Sequence, residues 1–299
     1  MKQRLEYLLV IVVAFVLRNL PRRAAWATGR ALAWLWYRLD RRHVRIAREA
    51  AAASFPERDA AWVERTVRGC YRHLGLSIAD FAWMRRMTRE NVHEFAAMDD
   101  ETRANAERIA AAGNGVIFLT GHVGLWEYTG VCYVALGYNL SAIARPIDNP
   151  LISDWVDRER ERLGMPVFHK RGALVSALRY LKEGGNVGIL LDQDAGQRGV
   201  FVPFFGRLAS TLPTAADISL RTGAPVWCGT SWRDERGLHH LVVRGPVEVE
   251  TTGNRERDTL ALTAACNAAI EERIREHPEQ WLWVHRRWKT RPPEERGRS

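Results

Sequence analysis

The stretch Thr120 to Gly130, TGHVGLWEYTG, sets His122 and Glu127 five residues apart, with glycines at 121 and 124. A histidine backed by a carboxylate is the apparatus of general-base catalysis. One ring nitrogen takes a proton from a hydroxyl, while the other donates to the carboxylate, which fixes the tautomer. In one regular helix the two side chains would stand roughly 140° apart and would not meet. A corner solves this: His122 on the turn after a strand, a helix beginning near Gly124, and Glu127 in its first turn, reaching back to the imidazole. Glycines permit such a corner, and a carboxylate is favoured at a helix N-terminus. The competing reading is a turn that happens to hold polar residues, since His-x4-Glu arises often by chance.

Other chemistries lack their motifs. HExxH is absent, which disfavours zincin-type hydrolysis. GxSxG is absent, which disfavours an α/β-hydrolase. GxxxxGK[ST] and GxGxxG are absent, so nucleotide cofactors have no support.

The elements that must hold the corner are legible around it. GVIFLT (115–120) is an apolar run bounded by glycine, as in a buried strand. LSAIAR (140–145), MPVF (165–168), NVGILL (186–191) and APVWCGTSW read as further strands, with HHLVVRG and PVEVE completing the sheet. Helices are expected after the corner, over 151–163, in ALVSALRYLKEGG (with Leu174, Leu178 and Leu181 on one face), over 213–221 and over 258–276. Residues 26 to 95 read as helical. Alternating strands and helices predict an α/β fold with a largely parallel central sheet flanked by helices.

The chain has 299 residues, a net charge of +9 and 46% hydrophobic residues, enough for a sizeable core. The basic balance suits nucleic acid, anionic lipid or an acidic protein partner. Nucleic acid is disfavoured, because the basic residues are scattered and no zinc-finger, RRM or helix-turn-helix signature accompanies them. Twelve tryptophans and seven tyrosines lean toward a membrane surface, although core packing accounts for most of them. Four widely spaced cysteines form no CxxC pair, which argues against disulfides and a thiolate metal site and for a reducing compartment.

The N-terminus carries an apolar run from Tyr7 to Leu17 with basic residues on both sides. Eleven helical residues reach about 16 Å, against a hydrocarbon core of roughly 30 Å. The expectation is an N-terminal helical, membrane-associated segment over residues 1–25 that enters or lies on a membrane. A cleaved signal peptide, a tilted full span and a buried core helix stand as alternatives. The basic face of RRHVRIAREAAAASF is either solvated or in contact with anionic lipid.

GHVGLWE resembles the HxxxxD/E signature of the glycerolipid acyltransferase superfamily. Further blocks narrow the resemblance to the lipid A biosynthesis lauroyl/myristoyl acyltransferases: ARPIDNPLISDWVDRERERLG, MPVFHKRGAL, GILLDQDAGQRGVFVPFFGRLASTLP, RTGAPVW and HPEQWLWVHRRWK. The match covers almost the whole chain. It implies an anchor over 1–25 and one α/β acyltransferase domain over 26–299, with 26–95 as its helical part. It implies an enzyme at the cytoplasmic face of a bacterial inner membrane. That enzyme would move a fatty acyl chain from acyl carrier protein to a hydroxyl of a lipid A precursor, an anionic glycolipid. It implies no metal and no diffusible cofactor. Relatives with the same blocks acylate other lipids, mycobacterial-type mannoside acyltransferases among them, so another acceptor, or acyl-CoA as donor, stays open.

Carried over by position, His122 is the base and Glu127 its partner, with Arg145, Arg171, Asp192 and Gln193 as site residues. Arg145 and Arg171 follow strands, at the sheet end where ligands of α/β folds bind, and a guanidinium fork suits phosphate. Surface arginine is the alternative for both. Asp192 is placed to hold an arginine, Asp194 to cap its loop, and Arg198 to reach phosphate. One of Phe204 and Phe205 is expected in the core and the other along an acyl-chain slot. The arginines of HRRW, at 286 and 287, suggest anionic headgroups, and His169, His239 and His240 carry no motif.

Overall fold

The computed structural model describes residues 1–169 and 172–295. The first four helices, α1 (Lys2–Asn19), α2 (Arg22–Leu39), α3 (Arg41–Ser54) and α4 (Ala60–Trp83), precede any strand. They are followed by β1 (Ala96–Met98), α5 (Asp100–Ala112), β2 (Ile117–Thr120), α6 (Trp126–Ala135), β3 (Ser141–Ile143), α7 (Pro150–Glu161), β4 (Val167–Phe168), α8 (Ala173–Lys182) and β5 (Val187–Leu190). A hairpin of β6 (Val200–Phe204) and β7 (Arg207–Thr211) comes next, then α9 (Thr214–Thr222), β8 (Val226–Arg233), β9 (His239–Val247) and α10 (Arg255–Glu276).

Seven strands form one sheet in the order β1-β9-β8-β2-β5-β3-β4. Every pair in it is parallel except β8 with β9. The largely parallel sheet flanked by helices is thus the architecture expected from the alternation of elements. Three details differ. HHLVVRG and PVEVE are one strand ending at Val247, antiparallel to β8. The β6–β7 hairpin stands outside the main sheet, and β1 adds an edge that the apolar pattern did not announce. In α8 the buried face is Ala177 and Leu181, while Leu174 is exposed.

One core lies between the sheet and α3, α4 and α10, and holds Ile117, Leu119, Val187, Ile189 and Ile270. A second, on the other face, gathers α5 and α6 around Phe118, Tyr128, Val131 and Trp227. Burial of apolar side chains on both faces of β2 explains why its sequence is continuously apolar rather than alternating. Phe204 and Phe205 are both buried in the first cluster, against Trp281 and Trp283, so neither lines an open slot.

The helical N-terminal part is welded to the sheet. Gly29 and Gly75 let α2 and α4 touch: a Cβ on Gly29 would lie 2.4 Å from the Gly75 carbonyl oxygen. Asp80 on α4, fully buried, accepts from Trp26 Nε1 (2.6 Å) and Arg233 Nε (2.9 Å), and lies 3.2 Å from His239 Nε2. His239, without a motif in the sequence, is therefore a buried structural group.

The helix α1 packs on α4, burying Leu17, with the Leu17 carbonyl accepting from Trp83 Nε1. Its outer face leaves Leu5, Leu8, Leu9, Val12, Phe15 and Val16 exposed. No helix among the described residues is long and apolar enough to cross a membrane.

Candidate active site

The site follows from strand register. Thr120 of β2 lies opposite Leu190 of β5, and the Leu191 N–H donates to the Thr120 carbonyl (3.1 Å). Two residues beyond that pair, at the carboxyl ends of adjacent parallel strands, stand His122 and Asp192. Ligands of open α/β sheets bind at such an edge. Gly121 lets the two loops approach: a Cβ there would meet the Asp192 carboxyl at 3.0 Å. Gly124 has φ +60°, and a Cβ would stand 1.9 Å from the Ser231 carbonyl oxygen, so the corner requires glycine on both counts.

Asp192 holds the histidine. The His122 backbone N–H donates to Oδ2 (2.7 Å), and the ring Nδ1 lies 2.8 Å from Oδ1. Trp281 Nε1 also donates to Oδ2 (2.8 Å). The imidazole packs edge-on against Trp126. Its other nitrogen, Nε2, is 3.3 Å from the side-chain amide nitrogen of exposed Gln193. Burial disfavours the imidazolium, but the charge and hydrogen bond of Asp192, with a smaller contribution from Glu127, outweigh it and raise the His122 pKa above 6.5. Burial would raise the Asp192 pKa, yet the imidazole, Trp281 and the backbone donor bring it down to about 2. A paired carboxylate that stays ionised fixes Nδ1 as the protonated nitrogen and leaves Nε2 to accept.

Glu127 does stand in the first turn of the helix after the corner, as its position in the sequence predicts. The expected contact with the imidazole is not made. Its carboxylate is gripped by Arg160 of α7, with Nε to Oε2 at 2.8 Å and Nη2 to Oε1 at 2.7 Å, and accepts from Trp126 Nε1 (3.2 Å). Arg160 also donates to Asp157 (2.9 Å), whose other oxygen lies 2.9 Å from His169 Nε2. A half-buried forked pair explains the outcome: the guanidinium matches both carboxylate oxygens at once, which a single ring nitrogen cannot do. Asp192 in turn holds the histidine, not an arginine.

Beside these groups a narrow apolar cavity runs into the second core. Thr120, Glu127 and Arg160 supply polar wall, and Tyr133, Leu140, Met165, Leu241 and Val243 the apolar remainder. Gly130 keeps it open, since a Cβ there would lie 2.7 Å from Met165 Sδ.

The family described as bacterial lipid A biosynthesis acyltransferase matches residues 2–290. This chain belongs to that family. It is accordingly an O-acyltransferase, and the resemblance read from its motifs holds over nearly the whole length. It is 28% identical to the lipid A biosynthesis palmitoleoyltransferase of Escherichia coli K12, over 89% of this chain and 92% of that protein. It is also 28% identical to the lauroyltransferase of the same strain, over 94% and 90%. A phosphatidylinositol mannoside acyltransferase of Mycobacterium tuberculosis H37Rv is 26% identical over 60% of this chain and 56% of its own.

Placed on this acyltransferase scaffold, the remaining candidates separate. Asp192 and Gln193 stand at His122. Arg145 lies on the exposed loop after β3, paired with Asp148 (2.9 Å). Arg198 is exposed on the loop before β6. Arg171 lies outside the described residues. Asp194 accepts from Thr290 Oγ1 (2.9 Å), and its N–H donates to His285 Nε2 (2.9 Å), so it ties its loop to the C-terminal segment.

Arg287 is fully buried and donates to the carbonyls of Ser210 (2.6 Å) and Gln193 (3.3 Å) and to Thr211 Oγ1 (2.6 Å). It braces the Gln193 loop from beneath and does not face headgroups; burial brings its pKa down to about 10. Sequence reasoning missed Arg160 and Trp281. The Asp157-x-x-Arg160 spacing signals that those two share a helix face, but nothing local points either of them at residues 33 to 89 positions away.

Proposed function

We propose that this acyltransferase moves a fatty acyl chain from the thioester of acyl carrier protein to a hydroxyl of a lipid A precursor, with His122 as general base and Asp192 as its positioning partner. The observation that carries the reading is the His122–Asp192 pair, which leaves Nε2 as the accepting nitrogen, facing the exposed Gln193 amide. The acceptor hydroxyl oxygen attacks the thioester carbonyl as Nε2 takes its proton. The tetrahedral intermediate collapses, the carbon–sulfur bond breaks, and the imidazolium returns the proton to the departing thiolate. Asp192 stabilises the imidazolium while it exists.

Glu127 and Arg160 border the apolar cavity, and that cavity is the place for the acyl chain. In this reading Glu127 supports catalysis by holding Arg160 and adding a weak negative field at His122, in place of a direct hydrogen bond. Arg145 and Arg198 are proposed to meet acceptor phosphates from the loops around the strand ends, and Arg171 is proposed to share that role. The exposed apolar face of α1 would lie on the cytoplasmic side of the inner membrane, where an interfacial helix suits it. The relative named as a mannoside acyltransferase keeps a second acceptor in play, another glycolipid on the same chemistry.

The experiment is an acyl-transfer assay on purified full-length protein. It offers acyl carrier protein or CoA thioesters with a lipid A precursor or a phosphatidylinositol mannoside, and reads products by mass spectrometry. Transfer to the lipid A precursor from the carrier thioester, lost in His122→Ala, is expected. Transfer only to the mannoside would overturn the acceptor, and transfer only from CoA would overturn the donor.

A further inference from the structure

Away from the catalytic pair, a cavity of about 400 Å³ opens between α1, α4 and α7. Its composition is divided. Tyr7, Ile11, Ala14 and Phe15 follow one stripe of α1 and, with Trp155 and Ala82, make an apolar wall. At the Arg18 end of that helix the wall turns basic, with Arg18, Arg85, Arg158 and Arg162 lining the same space.

One carboxylate, Glu159, lines the same space. Buried Glu159 forms ion pairs with Arg85 (3.4 Å) and Arg162 (3.6 Å), and its Oε2 has no hydrogen-bond partner among the described residues. Arg162 spends its terminal nitrogens on the carbonyls of Met84 (2.7 Å) and Met87 (3.1 Å). Arg18 lies over the Phe15 ring, and Arg158 is exposed with no ion pair among the described residues. Four cations converging on a pocket with one counter-charge leave a positive excess that an anion would neutralise. An apolar channel leading away from that anion site adds a requirement for a hydrocarbon tail.

We propose that this groove seats a phosphate-bearing lipid, its phosphate among Arg18, Arg85, Arg158 and Arg162 and its chain along the inner stripe of α1. The polarity is consistent with α1 itself. The exposed Leu5, Leu8, Leu9, Val12 and Val16 of its outer face run alongside the channel toward Arg18, so the lipid and the helix would place their polar ends at one level. Helix α7 joins the two sites: its Arg160 grips Glu127, while Trp155, Arg158 and Glu159, with Arg162 just past its end, line the groove. The phosphate could come from a bilayer phospholipid or from the acceptor.

The test uses detergent-solubilised full-length protein and dioleoyl phosphatidylglycerol, with dioleoyl phosphatidylcholine as the uncharged-net comparison, read by native mass spectrometry. One retained equivalent of phosphatidylglycerol, in preference to phosphatidylcholine, is expected for the unmodified chain. Arg18→Gln with Arg158→Gln should weaken that retention on the order of 30-fold, at the usual worth of two basic residues against anionic lipid. Arg41→Gln with Arg42→Gln removes the same charge from α3, outside the groove, and should leave it unchanged. Equal retention in both double variants, or indifference between the two lipids, would overturn the proposal. The acceptor KM of Arg18→Gln/Arg158→Gln identifies the source. A rise in parallel with lost lipid retention makes the acceptor's phosphate the occupant, and an unchanged KM makes it a bilayer lipid. The retention readout needs no turnover, so it stands or falls separately from the proposed reaction.

Discussion

Among the histidine–aspartate pairs of the described residues, the two built on fully buried aspartates, His122–Asp192 and His239–Asp80, behave in opposite ways. In His122–Asp192 the imidazole pKa rises; in His239–Asp80 burial, opposed by the Asp80 hydrogen bond and helped by Arg233, lowers it. Both aspartates are buried and both are held below the ordinary carboxylate range, so the acid is not the difference. The difference lies in the neighbours. Asp80 already has a guanidinium at 2.9 Å and an indole at 2.6 Å, and its histidine is completely enclosed. Among the described residues Asp192 has no guanidinium in ion-pair contact, its partners being the imidazole, the His122 N–H and the Trp281 indole, and His122 keeps 14% of its side chain exposed. A histidine with a carboxylate is thus a structural strut where an arginine completes the charge and water is excluded. It is suited to act as a base where the carboxylate is left to the ring and one nitrogen reaches the surface.

The comparison can be broken by substitution. His122→Ala should cut turnover by roughly 10² to 10⁴-fold, the usual share of a general base, with the fold retained, because the corner's shape rests on Gly121 and Gly124 and Asp192 keeps its backbone and Trp281 donors. A folded, near-fully active His122→Ala would remove the catalytic half of the contrast. Asp80→Ala should act on the other axis. It strands buried Arg233, so a stability loss of about 3–5 kcal/mol is expected, with kcat per folded molecule retained. Denaturant titration and active-site counting separate the two quantities, and a stable variant with lost kcat would reverse the roles assigned to the pairs.

A smaller effect is expected at Glu127. Glu127→Gln keeps the size and loses the charge facing Arg160, which retains Asp157. A stability cost of about 1–3 kcal/mol and a smaller fall in turnover than for Asp192→Asn should be seen. The opposite ranking in a steady-state assay would restore Glu127 as the histidine's partner. The smallest effect concerns encounter. If an acidic carrier protein is the donor, its KM should rise several-fold between about 50 and 300 mM salt, as exposed charges become screened, while kcat stays level. A flat KM over that range would favour a CoA donor.

Much of the fold was legible because parallel strands buried on both faces, such as 117–120 and 187–190, are apolar runs between glycines and turns. The β6–β7 hairpin was hidden because its residues, VFVPF and RLAST, fall inside a block read for its family motif, to which no strand was assigned. His122 was legible from its corner, and Asp192 from its place after a strand. Their pairing was not, because it is set by the β2–β5 register, which local sequence does not encode. Glu127 was expected at the histidine from the corner geometry and from the resemblance to the HxxxxD/E signature. The structure gives it to Arg160, 33 positions away, because a bidentate partner on a neighbouring helix outcompetes a ring nitrogen.

The most direct measurement is the pH dependence of kcat/KM for the unmodified enzyme, Asp192→Asn and Glu127→Gln. His122 must be neutral to accept a proton, so activity is lost as pH falls through its pKa. With the Asp192 carboxylate raising that pKa, the acid limb of the unmodified enzyme should lie above 6.5. Asp192→Asn should move the limb to lower pH and cut the plateau by roughly 10² to 10⁴-fold, whereas Glu127→Gln should move it only slightly. An acid limb that stays put in Asp192→Asn and shifts in Glu127→Gln would contradict the account, and would show that the carboxylate five residues from the histidine governs it after all.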